Sequence, residues 1–204
     1  HDEARLASRF GTAQARLVGL LQLSLPGIPV VYYGDELGME NVSIAAHLIH
    51  DPFEKRVPGL GLGRDPQRTP MQWTGDKGAG FTTGMPWLPV ARDFTTRNVA
   101  SETLAPHSSL TMYRTLLELR RSAIFEEGRY VEWEGSDDAI FGFSRENESD
   151  KLLVLLNMSD HPTICRQKID GAMIYSTHVA VEFEPKEHLL LKAHQGVIIR
   201  LPKS

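Results

Sequence analysis

The sequence is poor in cysteine and in excess positive charge. Cys165 is the only cysteine among 204 residues, so no internal disulfide can form, and we expect a reduced cytoplasmic setting rather than a small disulfide-framed secreted one. The formal net charge is -4, which offers no basic face for a phosphate backbone. Nucleic acid is therefore not an expected partner, and a small soluble substrate fits better.

Long hydrophobic runs are also missing. The most apolar helical stretch, 17–25, is interrupted by polar residues and closed by Pro26, well short of the roughly 20 residues that a membrane span needs. We predict neither a membrane segment nor a signal peptide. The chain opens on His1 and Asp2 without a methionine, so we expect its natural start to lie upstream or to have been removed.

The first elements follow a helix-then-strand order. Thr12 is a suitable N-cap for a helix over about 12–25, and Pro26-Gly27 should stop it. The following run, 28–33, is apolar, β-branched and aromatic, which predicts a strand buried on both faces. A helix followed by a buried strand is typical of a parallel sheet or barrel.

A long loop follows this predicted strand. Residues 35–105 are dense in Gly and Pro, with only a short helix predicted over 43–50. A connection of this length usually has a function, and barrel enzymes build their sites from loops at strand ends. Ser108 can then cap a second amphipathic helix that ends near Ser122.

The remaining chain is rich in short β-type runs separated by turn residues, which indicates an antiparallel sandwich or barrel. Seven runs are predicted, at 129–134, 139–145, 151–158, 163–169, 173–178, 188–192 and 197–201. We therefore place a domain boundary between 1–122 and 123–204. A complete eightfold barrel needs about 250 residues, so any barrel in 1–122 must be incomplete.

A specific motif fills the long loop. The letters GRDPQRTPMQW occupy 63–73, followed by GAGFTTG at 78–84 and PWL at 86–88. Together with His1-Asp2 and with GDELGM at 34–39, this pattern resembles the α-glucosidases and oligoglucosidases of the α-amylase superfamily of glycoside hydrolases. The resemblance covers 1–122 and implies an α/β plus all-β fold: the C-terminal part of a (β/α)8 barrel followed by an antiparallel β-sandwich domain.

The resemblance also implies a chemistry. Family members cleave or transfer α-glucosidic bonds with retention, which requires a nucleophilic carboxylate and an acid/base carboxylic acid. In the family these two groups lie upstream of the His-Asp pair, so we expect both outside this chain, and we expect this chain to be a C-terminal fragment that is inactive alone. By resemblance Asp2 is the third catalytic carboxylate, and His1 beside it binds the hydroxyls of the glucose ring; without the motif, the pair would be read as an ordinary surface dipeptide.

Two arginines are the next candidates for substrate binding. By resemblance Arg68 closes the pocket at the non-reducing end of the sugar, because a guanidinium has several directed donors. We expect its carboxylate partner to be an Asp from an early loop that is not in this chain. Arg64 is the alternative contact in the same loop. For either arginine, a salt bridge that only staples the loop is the competing interpretation.

Other residues of the loop region carry open alternatives. Asp35 and Glu36 either line the outer sugar site or bond loop amides, and the second interpretation is favoured. Trp73, Phe81 and Trp87 either stack on sugar rings or stabilise the loop as buried aromatics, and again the second is favoured.

No metal or cofactor is expected. His47 and His50 have near-helical spacing but no third ligand, and the glycines of 59–63 lack the flanking strand and helix of a dinucleotide site. The expected partner is an α-glucoside or small oligosaccharide. Apolar residues of 17–25 and 28–33 should also be exposed by the incomplete barrel, which predicts self-association.

Two rival functions remain open. The heavy chains of amino-acid transporters share the barrel and β domain without being enzymes, although His1-Asp2, Arg68 and the complete loop motif favour the enzyme. Alternatively, 123–204 forms a free-standing carbohydrate-binding module.

Overall fold

The fold was analysed in a computed structural model that describes residues 1–135, 137–179 and 188–202. The six α-helices of these ranges are α1 Leu6–Phe10, α2 Thr12–Ser24, α3 Pro52–Arg56, α4 Val99–Leu104, α5 Ser109–Arg120 and α6 Ala123–Glu126. The seven strands are β1 Arg129–Glu132, β2 Ile140–Glu146, β3 Lys151–Asn157, β4 Thr163–Ile164, β5 Ala172–Ser176, β6 Leu190–Leu191 and β7 Gly196–Arg200. None of the helices in the described ranges is long and apolar enough to cross a membrane.

The chain forms two compact units, each made of two stretches. The first unit contains 1–15 and 30–111, and the second contains 16–29 and 112–204. This division differs from the predicted linear boundary at 122/123, because most of α2 and α5 belongs to the same unit as the strands. The assignment of 1–122 and 123–204 as separate domains stays a prediction.

Antiparallel pairing organises the second unit, as the sequence predicted. Five strands form one sheet in the order β1-β2-β3-β7-β5, and β4 pairs with β6 in a small second sheet. Each predicted β run overlaps one observed strand, although β4 and β6 are only two residues long.

Both faces of the central strand β3 are buried. Side chains of β3 alternate: Leu152, Val154 and Leu156 join a core cluster with leucines of α2 and α5, whereas Leu153 and Leu155 join a second cluster that includes Leu191 of the small sheet. This arrangement explains why β3 reads as a continuous apolar run rather than an alternating one. The two sheets thus enclose a shared core on one side, and helices cover the other.

Two arginines hold the C-terminal end of α2, which stops where Pro26-Gly27 predicts. Arg120 Nη1 donates to the carbonyl oxygens of Leu23 (2.7 Å) and Leu25 (2.8 Å). Arg145 Nη1 donates to the carbonyl oxygen of Ser24 at 3.1 Å. The last carbonyls of a helix lack intrahelical donors and form the negative end of its dipole, so cations stabilise them.

The predicted buried strand over 28–33 is wrong. No strand is assigned there, and Ile28 and Val30 are 93% and 77% exposed. A parallel strand needs neighbouring strands that bond its backbone and cover its side chains, and the described strands pair only with one another. The apolar composition of the run therefore does not produce a strand.

The first unit is built from short turns, as expected for the Gly- and Pro-rich loop. Within the loop 35–105, the α-helices are the short α3 and α4, and the helix predicted over 43–50 is a single 3-10 turn, Ala46–Leu48. A small core of Leu37, Met39, Met71 and Leu110 holds the unit together. The predicted cap of the following helix is confirmed, since Ser108 Oγ accepts a hydrogen bond from the Thr111 amide at 3.1 Å.

Candidate functional site

Three of the four predicted site residues meet at one carboxylate. Arg68 Nη2 lies 2.7 Å from Asp2 Oδ1, and His1 Nε2 lies 3.2 Å from the same oxygen. Arg68 Nε also donates to the carbonyl oxygen of His1 at 3.2 Å. The guanidinium therefore fixes both the backbone and the side chain of the His-Asp pair, although the residues are 66 positions apart.

Arg64, the fourth predicted residue, is mainly a clamp of the loop. Its Nε and Nη2 donate to the two carboxylate oxygens of Asp51 at 2.8 and 3.1 Å, and Nη1 lies 3.5 Å from Asp2 Oδ1. The Asp51 side chain is fully buried, and its hydrogen bonds with the Arg64 guanidinium hold the pKa of that carboxyl well below its usual range. Arg64 thus satisfies the stapling interpretation and lies next to Asp2 as well.

Asp65 and Gln72 of the loop motif are buried structural residues. Asp65 Oδ2 accepts hydrogen bonds from the amides of His50 and Asp51, which binds the motif to the segment before α3. Gln72 Nε2 donates to Asp93 Oδ1 at 3.1 Å and to the Arg97 carbonyl at 2.6 Å. These bonds form a hydrogen-bonded frame around the motif, from which Arg64 and Arg68 both reach Asp2.

A cleft of about 550 Å³ opens beside this frame within the first unit. Its walls are formed by His1, Tyr32, Tyr33, Glu36, Arg68, Pro70, Met71, Trp73, Phe81 and Trp87. The volume lies within the range of ordinary small-molecule pockets, about 300–1,000 Å³. The cleft therefore has hydrogen-bonding groups of His1 and Arg68 on the same wall surface as several aromatic rings.

The three loop aromatics are exposed in the cleft, contrary to the favoured interpretation. Trp73, Phe81 and Trp87 are 48%, 46% and 52% exposed. The sequence cannot show this, because Gly and Pro turns rather than helical or strand periodicity decide where these rings point. Flat, half-exposed rings beside hydrogen-bonding groups are suited to stack on the apolar face of a sugar.

Asp35 and Glu36 have different surroundings. Glu36 lines the cleft and accepts from the Gly34 amide at 2.6 Å, whereas Asp35 accepts from the Leu6 amide at 3.3 Å. Burial raises the pKa of both carboxyl groups. Glu36 thus fits the substrate-facing alternative, and Asp35 fits the structural one.

Two tyrosines and a buried arginine support Arg68 and were not predicted as site residues. The hydroxyls of Tyr32 and Tyr33 donate to the carbonyls of Gln67 (3.0 Å) and Thr69 (2.8 Å), the residues on either side of Arg68. Burial raises the pKa of Tyr32 to about 12. The buried Arg5 guanidinium packs over both rings, at 5.1 and 4.7 Å from their centroids. The sequence signal for them is the aromatic pair Tyr32-Tyr33, which lies in the run 28–33 that predicts a strand.

In the part of the chain that the structure describes, no three His, Cys, Asp or Glu side chains are grouped as a metal site requires. His50 instead lies beside Trp87, with ring centroids 5.5 Å apart.

The family of the chain follows from comparison with known proteins. The family model described as the catalytic domain of alpha amylase matches residues 1–128. The chain therefore belongs to the α-amylase family.

The related proteins and structures are consistent with that assignment. An α-glucosidase of Apis mellifera is 37% identical over 80% of this chain and 30% of its own length, and an oligo-1,6-glucosidase of Heyndrickxia coagulans is 34% identical over 84% and 35%. The solved trehalose-6-phosphate hydrolase of Bacillus licheniformis superposes with a TM-score of 0.84 at 27% identity, covering 100% of this chain and 42% of that one. A trehalulose synthase of Pseudomonas mesoacidophila gives 0.84 at 26%, covering 99% and 42%. The chain thus spans about a third of the length of these curated relatives.

Proposed function

We propose that this chain is the C-terminal, substrate-binding part of a retaining α-glucosidase that acts on small α-glucosides. Membership of the α-amylase family and similarity to an α-glucosidase and an oligo-1,6-glucosidase support the class of reaction. The observation that carries the proposal is the 2.7 Å contact between Arg68 and Asp2 at the edge of an aromatic cleft. The presence of both Asp2 and Arg68 in this chain favours the enzyme over a transporter heavy chain.

The proposed roles follow from the chemistry of these groups. Asp2 accepts hydrogen bonds from ring hydroxyls and stabilises the positive charge that develops on the sugar in the transition state. Arg68 and His1 hold that carboxylate and donate to other hydroxyls, while Trp73 and Trp87 stack on the sugar. Retention requires two further carboxyl groups about 5–5.5 Å apart, and we assign the nucleophile and the acid/base to segments outside these 204 residues.

Sugar binding in the cleft is the direct test. We expect methyl α-D-glucoside to shift the indole N–H resonances of Trp73 and Trp87, each assigned by its replacement with Phe. Arg68→Ala should weaken binding about tenfold or more, because it removes charge-assisted hydrogen bonds worth about 1.5–3 kcal/mol. Arg56→Ala changes an exposed arginine that does not line the cleft and should leave binding unchanged. Unmoved Trp73 and Trp87 resonances, or equal binding in Arg68→Ala, would argue against the proposal.

A second arm measures turnover. We expect the 204-residue chain alone to release no nitrophenolate from p-nitrophenyl α-D-glucoside above the buffer rate. Turnover that disappears in Asp2→Asn would show that the chain contains a complete catalytic set and would refute its proposed incompleteness.

Self-association is a further proposal, with a revised basis. The predicted exposure of 17–25 is wrong for its core leucines, since Leu17, Leu20 and Leu23 are buried by the chain's own sheet. The predicted exposure holds for segment 28–33, because Ile28 and Val30 are largely exposed, and exposed apolar side chains favour association. We expect the mass measured by light scattering to rise with concentration, and the double variant Ile28→Ser, Val30→Thr to reduce that rise. A wild-type chain that stays monomeric at every concentration would contradict this.

A further inference from the structure

A second groove lies on the second unit, on the face of the larger sheet that also carries the core shared with β4 and β6. Its volume is about 530 Å³. Val131, Ser144 and Leu153 form adjacent floor positions, because they are paired across β1, β2 and β3. The loop 167–170 forms the opposite wall. The groove is thus a depression whose floor combines two apolar side chains with the Ser144 hydroxyl and whose rim is polar.

Two glycines make room for Trp133 in this groove. A Cβ added to Gly142 would lie 2.6 Å from the indole Cε3, and one added to Gly135 would lie 1.8 Å from Cζ3. Any other residue at these positions would therefore displace the ring. The indole is partly buried against the core, and the remainder lines the groove. The glycines thus leave the space that the indole ring occupies at the groove.

Charges of both signs surround the indole ring. Two lysines face four carboxylates among the lining residues, which are Glu132, Glu134, Glu146, Asp170, Lys151 and Lys168. Glu146 is already paired, since its carboxylate lies 2.7 Å from Lys151 Nζ and 3.0 Å from Arg129 Nη2. Its hydrogen bond with Lys151, together with others from Ser144 and Arg129, lowers its pKa to about 2. The exposed Lys168 and Asp170 lie on the rim.

This combination selects a class of ligand. The excess of carboxylates disfavours an anion, whereas a hydroxyl-rich neutral molecule can donate to Asp170 and accept from Lys168. The apolar C–H face of a pyranose ring can stack on the exposed face of the Trp133 indole, which removes the apolar surface of both rings from water.

We propose that this groove binds a neutral oligosaccharide, with one sugar ring stacked on Trp133 and its hydroxyls bonded to Lys168 and Asp170. The site is separate from the cleft of the first unit and does not depend on the function proposed for that cleft. The proposal also gives a specific site to the carbohydrate-binding module that is one of the alternatives for 123–204.

The three tryptophans of the chain allow each site to be observed separately. The complete chain, labelled with ¹⁵N at the indole nitrogens, is titrated with maltotriose, cellotriose and the anionic trigalacturonate. We expect a saturable shift of the Trp133 resonance, assigned by Trp133→Phe, with at least one of the two neutral sugars and none with the anion. Asp170→Ala and Lys168→Ala should each weaken this binding about three- to tenfold, the net effect of losing one hydrogen bond at an exposed rim position.

The controls separate this groove from the cleft and from general effects. Asp138→Ala changes another exposed aspartate of the same unit that does not line the groove, so the Trp133 titration should be unchanged. A Trp133 resonance that does not move with either neutral sugar overturns the proposal, whatever Trp73 and Trp87 do. Equal binding of the anion, or wild-type affinity in both rim variants, overturns it as well.

Discussion

Replacing Arg145 with methionine should lower the free energy of unfolding of the second unit by about 3–5 kcal/mol. Arg145 is 1% exposed, and its guanidinium donates to the carbonyl oxygens of Ser24 (3.1 Å), Phe125 (2.9 Å) and Gly128 (2.7 Å). Methionine fills much of the volume but leaves these acceptors buried without a donor. Each unsatisfied polar group costs about 1–3 kcal/mol.

Denaturant unfolding followed by Trp133 fluorescence, in a background of Trp73→Phe and Trp87→Phe, measures this loss in the second unit. Arg129→Met is the matched control, because that side chain is 75% exposed and its contact with Glu146 is a surface ion pair. Such pairs contribute about 0–1 kcal/mol. A loss below about 1 kcal/mol in Arg145→Met would show that water or other donors replace the guanidinium.

Asp51→Asn should destabilise the first unit by about 2–3 kcal/mol near neutral pH. In the wild-type chain the two Asp51 oxygens accept hydrogen bonds from the Arg64 guanidinium and from the backbone amides of Phe53 (2.9 Å) and Arg64 (2.7 Å). An asparagine side chain has only one oxygen to accept from all of these donors. The expected loss is below that of a fully buried ion pair, because the Arg64 side chain is 37% exposed.

The same substitution should alter the pH dependence of stability. Because the native pKa of Asp51 lies below its unfolded value of about 3.9, its stabilisation is complete above that value and disappears as the pH falls through the native pKa. The wild-type chain should therefore lose stability on acidification more steeply than Asp51→Asn, as Trp73 and Trp87 fluorescence can report. The exposed Asp76→Asn is the control, with an expected change within about 0.5 kcal/mol. Parallel acid-side slopes in wild type and Asp51→Asn would contradict this account.

Local patterns predicted most of the second unit. Apolar runs bounded by turn residues located all seven strands, and Ser108 and Pro26-Gly27 marked the ends of helices correctly. These signals depend on neighbouring residues, and here the rest of the second unit supplies the partners that the strands need. The run 28–33 has the same composition but forms no strand, because a strand also requires partners elsewhere in the chain.

The motif proposed residues for the candidate site but did not predict their arrangement, and their roles stay a prediction. The motif identified His1, Asp2, Arg64 and Arg68, and the structure brings them together around Asp2. It gave no indication of the buried Asp51 that binds Arg64, or of Arg5 beneath two tyrosines. A buried charge is compensated by groups distant in sequence, and single-sequence patterns do not encode such pairs.

The discontinuous second unit has a consequence for biosynthesis. Leu20 and Leu23 of α2 complete their core only with Ile198 of β7, which is made about 175 residues later. A ribosome adds about 5–20 residues per second, so roughly 10–35 s pass between the synthesis of the α2 leucines and that of Ile198. During that interval the nascent chain presents a helix that chaperones can bind, and a pause in translation before β7 would prolong this exposure.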